Sequence, residues 1–144
     1  MDAALAGARA LRLMAFDVDG VLTDGRLYLS DSGEEIKAYS TLDGQGLRMI
    51  RDAGVEVALI TGRTSRTVAL RAANLGIERV LQGVGDKLAA LDAIRAELGF
   101  DYAACGYMGD DLPDLAVLVR CGFSATVPAA PEYVRSRVRY VTRA

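Results

Sequence analysis

Histidine is absent from all 144 residues, which removes the Ser-His-Asp and Cys-His catalytic pairs and the common His-rich zinc sites. Chemistry must then come from carboxylates, lysine, arginine or hydroxyls. Cysteine is scarce: Cys105 and Cys121 are too far apart for a CxxC motif and too few for a four-thiolate metal site. They read as small buried apolar residues in a reducing cytoplasm. Long uncharged runs are also missing. The longest, Cys121 to Pro131, has eleven residues, against the roughly 20 that span a bilayer, and no basic-then-apolar signal opens the sequence. The expectation is a cytoplasmic protein without a membrane partner. Positive charge is not in excess, with 17 Lys+Arg against 19 Asp+Glu and a net −2, which argues against a nucleic-acid partner. Proline is confined to Pro113, Pro128 and Pro131, and no repeat or linker divides the sequence. One domain over residues 1–144 is expected, long enough to bury about 70% of the surface of its unfolded chain.

What is present is a rhythm. Apolar runs over Leu13–Phe16, Val55–Ile60, Arg79–Leu81, Ala103–Met108 and Phe123–Val127 predict strands buried on both faces. Between them, Gln45–Ala53, Ser65–Leu75, Lys87–Leu98 and Leu112–Cys121 predict helices, each followed by a glycine: Gly54, Gly76, Gly99 and Gly122. Strands alternating with helices of about ten residues give βαβ units, hence an α/β, Rossmann-like parallel sheet with helices on both faces. Arg26–Ser30 and Glu35–Tyr39 alternate with period two around Asp31-Ser32-Gly33-Glu34, which predicts a β-hairpin projecting after the first strand. Leu27, Leu29, Ile36 and Ala38 are expected to share one face, covered either by the same chain or by another subunit.

Ligands of an open parallel sheet bind at the carboxyl ends of its strands. There the sequence places Asp17-Val18-Asp19-Gly20 after the first strand, Thr61-Gly62-Arg63 after the second, Gly83 to Lys87 after the third and Gly109-Asp110-Asp111 after the fourth. Asp17 and Asp19 project to the same side of an extended segment, where like charges call for a cation. Oxygen-only ligands suit Mg²⁺ and a substrate phosphate. Each piece has a plainer reading. Asp110 or Asp111 caps the helix entered at Leu112, Thr61-Gly62 is a strand-to-helix turn, and Lys87, the only lysine besides Lys37, is a solvated side chain. Their arrival at successive strand ends favours a phosphate-handling site.

Asp17-Val18-Asp19-Gly20-Val21, Thr61, Lys87 and Gly109-Asp110-Asp111, in that order, resemble the four motifs of the haloacid dehalogenase superfamily of aspartate-nucleophile phosphatases. The longer strings Phe16 to Gly25, Gly33 to Ala38, Ile60 to Arg63, Leu75 to Ile77 and Tyr140 to Arg143 are similar to its 3-deoxy-D-manno-octulosonate 8-phosphate phosphatase family. The resemblance implies that Asp17 attacks phosphorus and that Asp19 is the general acid and base. It implies Mg²⁺ on the Asp17 side chain, the Asp19 main-chain oxygen and Asp110, with Asp111 and Asp114 orienting its waters. Thr61, Lys87 and backbone N–H groups near Gly20 and Gly62 would hold the phosphoryl group. A sugar-acid phosphate would meet Arg48, Arg63, Arg71 and the segment Ser40, Thr41, Leu42, Asp43 and Gly44. Only 43 residues lie between Asp17 and Thr61 and 25 between Thr61 and Lys87, so the fold is capless, and the resemblance implies a homotetramer formed through the hairpin.

Two departures stand out. Ser40 replaces the Asn or His frequent in relatives, and the family pattern continues past Thr142 with a glycine-rich stretch and basic tail, whereas this sequence ends at Ala144. A shortened chain is expected to keep the chemical groups, with lid closure and substrate discrimination impaired. Rival readings are a phosphatase of a nine-carbon sialic-acid-type sugar phosphate, a receiver domain and a non-catalytic oligomerisation domain. The last is opposed by retention of both Asp17 and Asp19, and the second by the acid order along the strands.

Overall fold

A computed structural model describes residues 2–144. In chain order its elements are α1 (Asp2–Arg9), β1 (Leu13–Phe16), β2 (Tyr28–Leu29), β3 (Glu35–Ile36), α2 (Thr41–Asp52), β4 (Glu56–Ile60), α3 (Arg66–Leu75), β5 (Arg79–Leu81), α4 (Lys87–Leu98), β6 (Cys105–Met108), α5 (Leu115–Arg120), β7 (Phe123–Thr126), α6 (Glu132–Arg135) and β8 (Tyr140–Val141). Six strands form one sheet in the order β5-β4-β1-β6-β7-β8, with every pairing parallel. From β1 the chain builds outward through β4 and β5 on one side, then returns to place β6, β7 and β8 on the other. The strand order therefore reverses at β1 and β6, where a crevice opens at the carboxyl ends.

Alternation along each strand splits the core in two. Leu13 and Ala15 of β1 and Ala58 and Ile60 of β4 face a cluster closed by Leu91 and Ile94 of α4 and Val117 and Leu118 of α5. Met14, Phe16, Val57 and Leu59 face the opposite cluster, closed by Leu47 of α2 and Val68, Ala72 and Leu75 of α3. Both faces are thus covered by helices, as the apolar runs predict.

Five expectations are corrected. α2 begins at Thr41 rather than Gln45, because Ser40 caps it by accepting the Asp43 N–H at 3.4 Å. The segment Leu112–Cys121 divides into a 3₁₀ turn, Leu112–Asp114, and α5, and the strand predicted from Ala103 starts at Cys105 after another such turn. Gly54, Gly76 and Gly99 adopt positive φ, but Gly122 does not terminate its helix in that way. A Cβ there would stand 2.4 Å from the Ala103 carbonyl oxygen, so close backbone approach is what requires glycine. Finally, the hairpin pairs Tyr28 with Ile36 and Leu29 with Glu35. Leu27 and Leu29 therefore lie on the face opposite Ile36 and Ala38, and all four are exposed.

Candidate active site

Asp17 is the first residue beyond β1, and its N–H donates to the Met108 carbonyl at 2.9 Å, extending the sheet by one rung. Its buried carboxylate accepts the Val18 N–H at 2.8 Å and faces the Lys87 ammonium at 3.2 Å. Lys87 opens α4 just after Asp86, which caps that helix by accepting the Ala89 N–H at 3.0 Å. Its Nζ also donates to Asp114 Oδ1 at 2.8 Å. Asp114 is fully buried and has no free oxygen: Oδ1 also accepts the Tyr107 hydroxyl at 2.8 Å, and Oδ2 accepts the N–H groups of Asp110 and Asp111 at 3.0 and 3.1 Å. Its carboxylate thereby fixes both Lys87 and the loop after β6. Asp111 completes a reciprocal cap, accepting the Leu112 N–H and the Tyr133 hydroxyl, each at 2.7 Å.

Asp110 is turned the other way, toward the first loop. A Cβ on Gly20 would come within 1.9 Å of Asp110 Oδ2, and Gly20 has φ +85°, so only glycine lets the two loops meet. Carboxylate oxygens of Asp17, Asp110 and Asp114 lie within 4.8 Å of one another. Burial, with Asp114 adding to it and Lys87 opposing, raises the Asp17 pKa to about 6. Burial together with Asp17 and Asp114 raises that of Asp110 to about 7. Burial works against the Lys87 charge, yet Asp17 and Asp114 outweigh it and raise its pKa. One ammonium is therefore too little for three neighbouring carboxylates, and an oxygen-only donor set of this kind fits a hard divalent cation such as Mg²⁺. With Asp114 saturated, the carboxylates left to hold such an ion are those of Asp17 and Asp110.

Thr61 follows β4 and is buried, fixed by its N–H to the Leu81 carbonyl at 2.9 Å and by the Val84 N–H to its own carbonyl at 3.0 Å. Asp19 stands apart from the acidic cluster. Its carboxylate is held by Lys37 Nζ at 2.5 Å, with Arg63 Nε at 3.8 Å, and both cations also hold Glu35. Lys37 and Glu35 come from the hairpin, and sequence reasoning does not single them out. The signal available was that Lys37 is one of two lysines beside 15 arginines, at a position alternating with Glu35 and Tyr39.

Beside this site lies a cleft floored by Val18, Leu22, Leu47 and Leu59 and walled by Tyr39, Ser40, Asp43, Gly44 and Arg71. Arg71 stacks over the Tyr39 ring at 5.7 Å and donates to the Ser40 carbonyl at 3.1 Å. Thr41 and Leu42 are exposed at the cleft's edge, Leu42 by 82%. Arg48 is not brought there, because its guanidinium donates to the Asn74 carbonyl at 3.3 Å.

No family model matches the sequence. The 3-deoxy-D-manno-octulosonate 8-phosphate phosphatase KdsC of Escherichia coli K12 is 41% identical over 139 residues, covering 96% of this chain and 74% of that protein. A solved Moraxella catarrhalis enzyme of the same name, in complex with a magnesium ion, a phosphate ion and KDO, superposes with a TM-score of 0.94 at 39% identity, over 99% of this chain and 81% of that one. The Yersinia pestis enzyme gives 0.96 at 39% identity, over 99% and 77%.

Proposed function

The chain belongs to the 3-deoxy-D-manno-octulosonate 8-phosphate phosphatase family of the haloacid dehalogenase superfamily, and from that premise we infer its reaction and the part each residue plays. It is a Mg²⁺-dependent phosphomonoesterase that releases phosphate from 3-deoxy-D-manno-octulosonate 8-phosphate, in the supply of lipopolysaccharide precursors. The observation that carries this reading is the meeting of Asp17, Asp110, Lys87 and Asp114 where the strand order reverses.

Asp17 attacks phosphorus, the phosphorus–oxygen bond to the sugar breaks, and an aspartyl-phosphate is left on the chain. Asp19 gives its proton to the departing sugar oxygen and later takes one from the water that hydrolyses the aspartyl-phosphate. The Asp17 and Asp110 carboxylates and the Asp19 main-chain oxygen would hold Mg²⁺; Asp114, with both oxygens already engaged, fixes the loop and Lys87 rather than waters, which leaves Asp111 to orient the waters of the ion. When bound, the ion offsets the negative charge of the phosphoryl oxygens and of its carboxylate ligands. Thr61, Lys87 and N–H groups near Gly20 and Gly62 receive the phosphoryl oxygens. Arg63 and Arg71 are assigned to the sugar carboxylate and Ser40 to Gly44 to the sugar; of these, Ser40, Asp43, Gly44 and Arg71 border the cleft beside the acids.

The exposed Tyr28, Leu29 and Ile36 of the hairpin support assembly into a homotetramer through this element. Among the described residues no helix is long and apolar enough to cross a membrane. A cytoplasmic location is supported by two buried cysteines that are both free thiols. The test is Mg²⁺-dependent phosphate release over eight- and nine-carbon sugar-acid phosphates, with Asp17→Asn as the control. The eight-carbon substrate is expected to be preferred and Asp17→Asn to be folded and inactive. Full activity in that variant removes the nucleophile, and preference for the nine-carbon sugar replaces the substrate.

A further inference from the structure

The hairpin reaches the reacting groups through a closed ring of four charges. Lys37 Nζ lies 2.5 Å from Asp19 Oδ1 and 2.6 Å from Glu35 Oε1, and Arg63 lies 2.7 Å from Glu35 Oε2 and 3.8 Å from Asp19 Oδ2. The two cations are not equivalent. The Lys37 side chain is 1% exposed, whereas that of Arg63 is 49% exposed. Burying an ammonium is costly unless it is paired. A flap that served only as a lid could place an apolar residue there.

We propose that Lys37 is the positioning residue for the acid/base carboxylate: by holding Asp19 Oδ1 it fixes which oxygen is anchored and leaves Oδ2 as the one that exchanges a proton with the substrate. This rests on the phosphatase reading above. In the first half-reaction the proton on Oδ2 passes to the sugar oxygen as that oxygen takes the electron pair of the breaking phosphorus–oxygen bond. Oδ1 remains hydrogen-bonded to Lys37 throughout. Arg63 meanwhile is released from Glu35 to the substrate, and Glu35 keeps Lys37 in place from the other side. The hairpin thus sets the geometry of proton transfer as well as covering the site.

A variant series separates this role from a structural one. The burst rate of enzyme phosphorylation is measured for phosphate monoesters whose leaving groups run from p-nitrophenol to simple alkyl alcohols. A nitrophenolate leaves without protonation and an alkoxide does not. Lys37→Met is expected to lose about 10- to 100-fold with alkyl esters, a part of the roughly 100- to 10,000-fold that general acid catalysis supplies, but less than about 3-fold with p-nitrophenyl phosphate. Lys37→Arg is expected to recover most of the alkyl-ester rate. Should Lys37→Met fail to fold, Lys37→Arg carries the test, with a smaller loss that still grows as the leaving group worsens. Equal losses across the series, or none, would overturn the proposal. A parent chain without Mg²⁺-dependent turnover of any ester, and unaffected by Asp17→Asn, would instead overturn the phosphatase reading, and this inference with it.

Discussion

Replacing Lys87 by methionine removes the buried cation beside Asp17 and Asp114. In the folded chain its ammonium stands 3.2 Å from Asp17 and 2.8 Å from Asp114, whose side chains are only 9% and 1% exposed. At an effective dielectric constant of about 20 each contact is worth roughly 5 kcal/mol of gross attraction. Most of that is cancelled by desolvation, so the measured penalty for removing one member of such a pair, about 3–5 kcal/mol, sets the scale. With an unfolding entropy of about 0.3 kcal/mol/K for a chain this long, Tm should fall by roughly 10–17 °C at pH 7.5 without divalent ions. The residual charge can be relieved in two ways, by protons or by Mg²⁺. Scanning calorimetry at pH 7.5 and pH 5, each with EDTA or millimolar Mg²⁺, should therefore show the deficit shrinking in acid and in Mg²⁺. A loss under about 3 °C, or an equal loss in all four conditions, would refute the placement of Lys87 as the internal counter-ion.

The unsubstituted protein should show a related pH response. Asp17 and Asp110 have pKa values of about 6 and about 7, above the ordinary 3.8. Their protonation favours the folded chain, so stability is fullest at low pH and is lost as pH rises through 6 to 7. In EDTA, Tm should rise between pH 7.5 and pH 5, and Mg²⁺ should flatten or invert that rise by favouring the ionised forms; a flat curve in EDTA contradicts the site electrostatics. Glu35, Asp92 and Asp111 have lowered pKa values, so their stabilisation is lost only in more acid solution. Gly20→Ala must displace Asp110 Oδ2 and strain a positive φ, at about 1–2 kcal/mol for the backbone alone. Titration calorimetry should find Mg²⁺ bound at least roughly 10-fold more weakly, a conservative figure for a displaced ligand, and unchanged affinity would sink the close-approach argument. Tyr28→Asp with Ile36→Asp should leave the fold intact and convert the assembly to monomer in light scattering; a parent protein that is already monomeric refutes assembly through the hairpin.

The parallel sheet was legible because the central strands, buried on both faces, leave an unambiguous apolar run; β1 begins and ends where the sequence predicts, and so does β5, although that edge strand is only partly buried. The strand-end acids were legible for the same reason, since a motif that follows a buried strand has only one place to go. The hairpin was harder. Its loop puts Gly33 at φ +86° and pairs Ser30 with Glu34, one residue out of step with the single apolar face expected from period two. A one-residue slip sends every later side chain to the opposite face. That slip carries Lys37 onto Asp19, a contact spanning 18 residues that no local pattern encodes, with Glu35 held against Lys37 from the other side. α1 and α6 went unread because a short helix held by one packed face leaves little periodicity; among the described residues each carries a single buried apolar side chain, Ala4 and Val134.

The site divides into a rigid half and an open half, and that division explains why its chemistry is easier to read than its substrate. Asp17, Thr61, Lys87 and Asp114 are buried and come from four consecutive strand ends or helix starts. Their positions are over-determined by the sheet, and any sequence that builds this sheet with these acids builds the same phosphoryl site. The groups assigned to the sugar and its cover sit on more exposed elements: the first turn of α2 with Leu42 almost fully solvated, Arg63 half-exposed, and a two-residue-stranded hairpin. Their arrangement depends on contacts between segments far apart in sequence, and on the other subunits proposed to cover the hairpin. Discrimination between an eight- and a nine-carbon sugar acid should accordingly respond to changes in Arg63, Arg71 and Ser40 that leave the rate with p-nitrophenyl phosphate largely intact. A variant of these residues that lost both activities in proportion would place them in the phosphoryl-transfer half and break the division.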